Sequence, residues 1–257
     1  MDVAYKRIQN SLERNIYNFF IDISRNSGKE INAKNSIEWI KTYPSCWPNY
    51  IFDSKLKLNK IDDEIRLLKE KINTGIVPNS WFMGPGSTTT ILPEILKQNG
   101  FIKTSSWPGM VLEMKNTSFD FSYPDNFSIK EINNLGDLKK WSDVINGGMF
   151  GNGFEGVNLF KNSLEKEDIK LFLGFFNDLP VATSLLYLNS DIASLFLVAT
   201  LPDFRQRGFG TQITLAPIKK ALGYGYEFAG LFATSSGERI YKKIGFRKIC
   251  DFDIYYL

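Results

Sequence analysis

Arginine and glycine residues cluster in one segment of the 257-residue chain, directly after an apolar run that ends at Thr200. The first backbone N–H groups of a helix have no partner inside the helix and lie at the positive end of its dipole. Glycines there let a phosphate group approach closely. The order of apolar strand, short arginine-flanked loop and helix start therefore predicts a diphosphate site. We expect it to be built from Arg205, Gln206, Arg207, Gly208, Phe209, Gly210 and Thr211, with the amides of the last three as donors.

Histidine is absent from the sequence, and cysteine occurs only at Cys46 and Cys250. This composition excludes Ser-His-Asp triads, Cys-His pairs and histidine-ligated zinc. The two cysteines are too far apart for a CxxC motif, so we predict two buried free thiols. Any reaction must use other groups, and we expect no metal.

Two other phosphate-binding motifs are not met. A dinucleotide-binding Gly-x-Gly-x-x-Gly turn would need glycine at Ile213. The segment from Gly84 to Thr90 lacks the Gly-Lys-Ser/Thr ending of a P-loop, and its Ser and Thr residues are typical of a helix N-cap before Ile91. Nucleotide binding and phosphoryl transfer are therefore disfavoured.

The segment instead resembles the cofactor loop of the GNAT acyltransferases, because Arg205, Gly208 and Gly210 match its Arg/Gln-x-x-Gly-x-Gly/Ala motif. The family also has a Val-x-x-x-Pro stretch before the loop, which 198–202 matches, and a Tyr one helical turn before Gly-Phe, which Tyr241 matches. The resemblance covers roughly 125–257. It implies an α+β fold with a mixed, mostly antiparallel sheet flanked by helices.

The resemblance also implies an activity. The donor would be an acyl-CoA, with acetyl-CoA expected, and the acceptor a primary amine of a small molecule or peptide that attacks the thioester directly in a ternary complex. The exposed strand edge at Val198, Ala199 and Thr200 would pair with the pantetheine arm. An N–H near Val198 would polarise the thioester carbonyl, and Tyr241 would protonate the departing thiolate.

The base that collects the amine proton is left open by the sequence. One branch of the family has a glutamate on the strand before the loop, and the matching position here is Ser194. A water chain or one of three carboxylates could act instead, namely Glu155, Asp191 or Glu238. Because Ser194 is no base, a second hypothesis is a CoA-binding sensor or interaction module that transfers nothing.

A repeated ending suggests a tandem duplication. Gly100-Phe101 and Gly245-Phe246 each follow an amphipathic helix and open a strand, at an offset of 145 residues. We predict a domain at 1–124 and an acyl-CoA-binding domain at 125–257, joined by the polar segment 116–126. At this offset Asp63 replaces Gly208 and Leu96 replaces Tyr241, so the first copy is expected to lack the active site.

The apolar spacing predicts the elements that position the loop. Helices are expected at 61–72, 135–145, 211–222 (kinked at Pro217) and 237–244, and a loop at 146–153. Strands are expected at 48–53, 127–132, 171–177, 180–188, 191–200, 231–234 and 251–257, with a hairpin turn at Asn177-Asp178.

Charge is distributed unevenly. Residues 203–248 contain nine Lys or Arg against three Asp or Glu, whereas 125–202 contain six against ten. The basic stretch suits a phosphate-rich cofactor and the acidic stretch a cationic amine, although solvated surface helices explain the pattern equally well. No nucleic-acid motif, secretory signal or membrane span is recognised, so we expect a cytoplasmic protein.

Overall fold

The computed structural model describes residues 3–32, 37–54, 56, 58–86, 90–115, 117–189 and 191–257. Seven α-helices occur in these ranges: α1 (Val3–Asn26), α2 (Ile61–Asn73), α3 (Leu92–Gln98), α4 (Leu135–Ile145), α5 (Gly156–Phe160), α6 (Phe209–Gly223) and α7 (Ser235–Ile244). The described strands are β1 (Glu30–Asn32), β2 (Ile37–Lys41), β3 (Asn49–Ser54), β4 (Ser80–Met83), β5 (Ile102–Glu113), β6 (Phe127–Ile132), β7 (Ile169–Phe176), β8 (Leu179–Asn189), β9 (Ile192–Thr200), β10 (Phe228–Phe232) and β11 (Arg247–Tyr256).

All these strands form one mixed sheet, in the order β1-β2-β3-β4-β11-β5-β10-β9-β8-β7-β6. Neighbours are antiparallel except for the parallel pairs β3–β4 and β9–β10. Strand β5 comes from the first half of the chain but lies between β11 and β10 of the second half. The predicted mixed α/β architecture is confirmed, and the strands of both halves share the sheet.

Side chains alternate between the two faces of the sheet and form separate cores there. On one face, which we call the α1 face, α1 and α4 pack on Phe196, Phe252 and their neighbours. The other, the α6 face, buries α6 and Tyr241 of α7 against Leu195 and Leu231. Helices α2 and α3 cover the first-half strands on this second face. The molecule is thus a sheet between two helical layers.

The predicted elements of the second half agree closely with the structure, because their apolar periodicity is strong. Strand β6 and helix α4 have the predicted bounds, and the β7–β8 hairpin turns at Asn177 and Asp178, which both have positive φ. Helix α6 continues through Pro217. Four first-half elements were not predicted: α1, β1, β2 and β4.

Three local expectations require correction. Cys250 is buried, but Cys46 is exposed, because its loop packs inward through Trp47 instead while the Cys46 N–H donates to the Gly153 carbonyl (2.7 Å). The predicted loop at 146–153 begins with a π-helical turn, Asn146–Phe150. Helix α3 has Ile91 at its N-cap without a side-chain cap bond; residues 87–89 of the predicted cap lie outside the described residues.

The rest of the Gly84-to-Thr90 motif is a turn, as predicted. The Gly84 N–H donates to Tyr17 Oη (3.0 Å) and the Gly86 N–H to Glu13 Oε2 (2.7 Å), so both amides are bonded to α1. Within the described ranges, no helix is long and apolar enough to cross a bilayer. No group of three or more acidic or cysteine side chains in those ranges could hold a metal ion.

Candidate functional site

The two parallel strands β9 and β10 separate along their length. Their pairing covers Ile192–Phe228, Ala193–Ala229 and Ser194–Gly230, and stops there. Beyond this point β10 stays bonded to β5, whereas β9 continues to Thr200 beside β8. Among the described residues, the carboxyl-terminal part of β9 therefore has no strand partner on one edge, and this edge faces an opening in the sheet with Ser194 and Gly230 at its apex.

A bulge in β9 lies beside this opening. Leu185 is opposite Phe196 and Thr183 is opposite Ala199, so Leu197 and Val198 together face the single residue Ser184. Leu197 has φ of 50°, the left-handed region that a branched side chain seldom adopts. Such bulges bend a strand and re-aim its side chains and backbone. This one turns β9 away from β10.

The backbone of the predicted pantetheine edge points into the opening. The Leu201 N–H donates to the Val181 carbonyl (2.9 Å), and the Leu197 carbonyl accepts from Thr183 Oγ1 (3.0 Å), so both face β8. Backbone groups alternate in direction along a strand, so those of Val198 and Thr200 face the opening. Of the three predicted edge residues, Ala199 faces β8 instead, and a Cβ added to Gly148 of the π-helical turn would lie 3.1 Å from its Cβ.

The amino terminus of α6 lies next to the same strand. Gly208, the N-cap, has φ of 83°, a left-handed conformation that suits glycine. A Cβ on Gly210 would lie 3.1 Å from Ile240 Cδ1 of α7 and 3.7 Å from Thr200 Oγ1 of β9. Gly210 therefore stands where α6, α7 and β9 converge, and its missing side chain lets the first turn of α6 pack closely on α7 and β9.

The three predicted amide donors differ. Phe209 and Gly210 are the first two residues of α6, so their N–H groups have no acceptor within the helix. The Thr211 N–H, in contrast, donates to the Gly208 carbonyl (3.0 Å). The prediction for Thr211 is therefore weakened, since its amide closes the first turn. The Phe209 side chain is buried and stacks on Phe127 at 4.3 Å between centroids.

The two arginines of the loop have protein contacts already. Arg205 Nε donates to the Thr200 carbonyl (3.1 Å), and Arg205 Nη2 donates to the Gly148 carbonyl (3.0 Å). Arg205 thus ties the end of β9 to the π-helical turn. The Arg207 guanidinium lies 5.7 Å from the ring centroid of Phe176 and 5.5 Å from that of Phe204. Gln206, which separates the two arginines in the chain, has positive φ. Both guanidinium groups are exposed and keep donors for a further anion.

Tyr241 is buried on the inner side of α7. Its ring packs edge-on against Phe246 at 5.8 Å. A Cβ on Gly237 would lie 2.9 Å from Tyr241 Cε2 and 3.4 Å from its Oη, so glycine one turn earlier makes room for the phenol. Burial raises the pKa of Tyr241 above that of a free tyrosine. The hydroxyl is therefore protonated across the neutral range.

None of the candidate bases is placed for that role by a contact in the structure. Asp191 pairs with Arg7 (3.2 Å), Glu238 pairs with Lys242 (2.7 Å), and Glu155 Oε2 accepts from Asn158 (3.0 Å). Ser194 is fully buried at the apex of the opening, and its Oγ has no hydrogen-bond partner among the described residues. The base stays unassigned.

The first half of the chain has corresponding elements without these groups. Helix α2 occupies the place of α6, and its N-cap is Lys60, so the helix start aligns Lys60, rather than the predicted Asp63, with Gly208. The expectation that the first copy lacks the active site is unchanged, because the first turn of α2 carries three carboxylates, Asp62, Asp63 and Glu64. Leu96 of α3 is buried where α7 has Tyr241.

Sequence reasoning missed the bulge at Leu197 and Val198 and the particular residues through which the first half meets this region. Trp47 packs on Phe150 and Phe154, and the Glu155 N–H donates to Ser45 Oγ (3.3 Å). The tandem glycines at 147 and 148 were the one local sign that this loop packs closely on β9.

Comparisons with known proteins agree with this fold. Residues 172–256, about a third of the chain, match the family model described as FR47-like protein. No curated protein matches the sequence. A GCN5-related N-acetyltransferase from Kribbella flavida superposes with a TM-score of 0.73 at 13% identity, covering 95% of this chain and 95% of that one.

Two further solved structures have the same fold. A GCN5-related N-acetyltransferase from Sphaerobacter thermophilus gives a TM-score of 0.64 at 11% identity, over 80% of this chain and 71% of that one. A tandem GNAT protein from the clavulanic acid biosynthesis pathway gives 0.58 at 8% identity, over 86% and 78%. The chain therefore has the GNAT fold, and the resemblance predicted from its motifs is confirmed.

Proposed function

We propose that the protein transfers an acyl group, acetyl in the first instance, from CoA to a primary amine. The observation that carries this proposal is the opening between β9 and β10, with the start of α6 at its rim. An extended pantetheine arm can pair with the free edge of β9 while its diphosphate meets the amides of Phe209 and Gly210. Gly210 keeps this helix start in place, because the absence of a side chain lets α6 pack closely on Ile240 of α7.

The proposed reaction is a direct transfer. The amine nitrogen forms a bond to the thioester carbonyl carbon, the negative charge on its oxygen is stabilised by the Val198 N–H, and the carbon–sulfur bond then breaks. Tyr241 gives its proton to the thiolate, and the surplus proton of the amine passes to water, from which the phenolate regains a proton. Tyr241 and Val198 both belong to the core of the α6 face, which supports an approach of the cofactor from that face.

Binding of acetyl-CoA to the purified full chain, measured by isothermal titration calorimetry, tests the cofactor site. We expect a dissociation constant of tens of micromolar or lower. Gly208→Glu should abolish binding, because it adds a carboxylate beside the diphosphate. Gly75→Glu is the matched control: Gly75 also has positive φ, at 72°, lies in open space, and carries no proposed role. Absent binding by the wild type, or full binding by Gly208→Glu, contradicts the proposal.

The second candidate is a CoA-binding sensor without transferase activity. The buried Ser194, which stands where some relatives have a carboxylate, favours it, since no base is in place. Release of the CoA thiol from acetyl-CoA in the presence of primary amines separates the two functions. Turnover on any such amine excludes the pure sensor, and binding without thiol release supports it.

A further inference from the structure

Five aromatic rings from both halves of the chain form a continuous row on the α1 face. Trp107 stacks on Phe232 (5.4 Å, 7° between planes), and Phe20 lies 6.5 Å from Phe232. Trp47 lies 5.6 Å from Phe20 and 6.1 Å from Phe150. We call this row, Phe20, Trp47, Phe150, Phe232 and Trp107, the aromatic floor.

The aromatic floor borders the opening between β9 and β10. Phe232 is the last residue of β10, two residues beyond the final pairing with β9, and lies 6.0 Å from Phe196 of β9. Phe150 ends the π-helical turn that Arg205 ties to β9 through Gly148. Because the cofactor would enter from the α6 face, this is the side left for an acceptor.

Three members of the aromatic floor are accessible. Phe20 and Trp47 are buried, whereas Phe150, Phe232 and Trp107 are half-buried. Trp107 stacks on Phe232 beside the opening and stays partly exposed, and its indole ring comes from β5 of the first half. Ring faces offer stacking to flat groups and also attract cations.

From this placement we propose that the acceptor is a primary amine with a flat aromatic group, which lies on the aromatic floor with its nitrogen toward Val198. Trp107 is then a specificity-determining residue supplied by the first half. This inference rests on the proposed function and names its substrate class.

Steady-state kinetics on the full chain with acetyl-CoA test the inference, with 2-phenylethylamine, propylamine and spermidine as acceptors. We expect kcat/KM for 2-phenylethylamine to exceed that for propylamine by at least about tenfold, because a stacked ring adds favourable contact. Trp107→Ala should raise the KM for 2-phenylethylamine about tenfold, with kcat and the acetyl-CoA affinity unchanged. Trp107→Phe should restore most of the loss.

Trp39→Ala is the matched control, since Trp39 is also half-buried but lies on β2, in the first-half core. It should leave every kinetic constant unchanged. Failure of acetyl-CoA to bind overturns the proposed function itself. Turnover that prefers propylamine or spermidine, or an unchanged KM in Trp107→Ala, overturns only the acceptor class. If acetyl-CoA binds but no amine reacts, binding of 2-phenylethylamine to the CoA-loaded protein is measured instead. Absence of that binding also overturns the proposed acceptor class.

Discussion

At the residue scale, Tyr241 shows how burial prepares a group for proton transfer. Its phenol lies in the core of the α6 face, and burial raises its pKa, which makes it a weaker acid. Burial acts in the same direction on a thiol elsewhere in the molecule, since it raises the pKa of Cys250, in the core of the α1 face, to about 12. A CoA thiolate that forms in an apolar environment beside Tyr241 would likewise draw the proton strongly.

Replacement of Tyr241 by phenylalanine should lower kcat about 100-fold, the size typical of a lost general acid, and leave acetyl-CoA affinity nearly unchanged. Because the pKa of Tyr241 is raised, its proton is held as pH rises, so kcat should not fall between about pH 7 and 9.5 through loss of this acid. Thiol release across that pH range measures both effects.

Tyr255→Phe is the control for this experiment. Tyr255 is another buried tyrosine whose pKa is raised by burial, but it lies on β11 in the first-half core. It should keep wild-type kcat. Equal kcat in Tyr241→Phe and wild type would show that the phenol only packs.

At the element scale, the proline inside α6 is accommodated by a neighbouring strand. Pro217 has no N–H to donate to the carbonyl of Ile213, four residues earlier. Ser184 of β8 fills the gap, since its Oγ donates to the Ile213 carbonyl (2.7 Å). All three residues are buried, so the bond satisfies a carbonyl that water does not reach. It anchors α6, and with it the predicted phosphate loop, to the sheet.

Ser184→Ala should lower the free energy of unfolding by about 1–3 kcal/mol, because it leaves the buried Ile213 carbonyl unsatisfied. In a Pro217→Ala background the restored N–H of residue 217 can bond that carbonyl, so the same serine substitution should cost less. Urea unfolding of the wild type, the two single variants and the double variant gives the coupling free energy between positions 184 and 217. The cost of the cavity left by Pro217→Ala cancels in this double-mutant cycle. Equal costs in both backgrounds would contradict this account.

At the scale of the whole molecule, the two halves exchange strands in the middle of the sheet. β5 of the first half separates β10 from β11, and β11 of the second half separates β4 from β5. The unit β4-α3-β5 thus resembles β10-α7-β11 in order and in central position, as a tandem duplication predicts. The domain boundary after residue 124 stays a prediction, since the sheet runs through both halves.

This interlocking arrangement predicts that the chain unfolds in one transition. Four of the five tryptophans lie in 1–124, so fluorescence reports mainly the first half, whereas far-UV circular dichroism reports both. The two urea curves should coincide, because neither half completes its sheet without the other. Separate midpoints would show two independent folding units. The fragment 125–257 alone should lack a cooperative transition, as β10 and β11 lose their common neighbour.

The sequence by itself determined the local features of the candidate site. These features are Gly208 and Gly210 next to Arg205, the apolar run before them, and Tyr241 before Gly245. They depend on backbone freedom, helix ends and short-range periodicity, which neighbouring residues encode. The second-half elements were predictable for the same reason. Helix α1 was missed although its buried residues Leu12, Ile16, Phe19 and Ile23 recur at three- and four-residue spacing.

Only the tertiary structure decided what surrounds those features. Four features depend on residues that are distant in the chain. They are the separation of β9 from β10, the bulge at Leu197, the hydrogen bonds from Arg205 to two carbonyls, and the aromatic floor. Trp107 meets Phe232 because β5 is inserted between β10 and β11, a pairing that no local pattern specifies. Strand pairing is set by which faces can be buried together, so it emerges only when the whole chain packs.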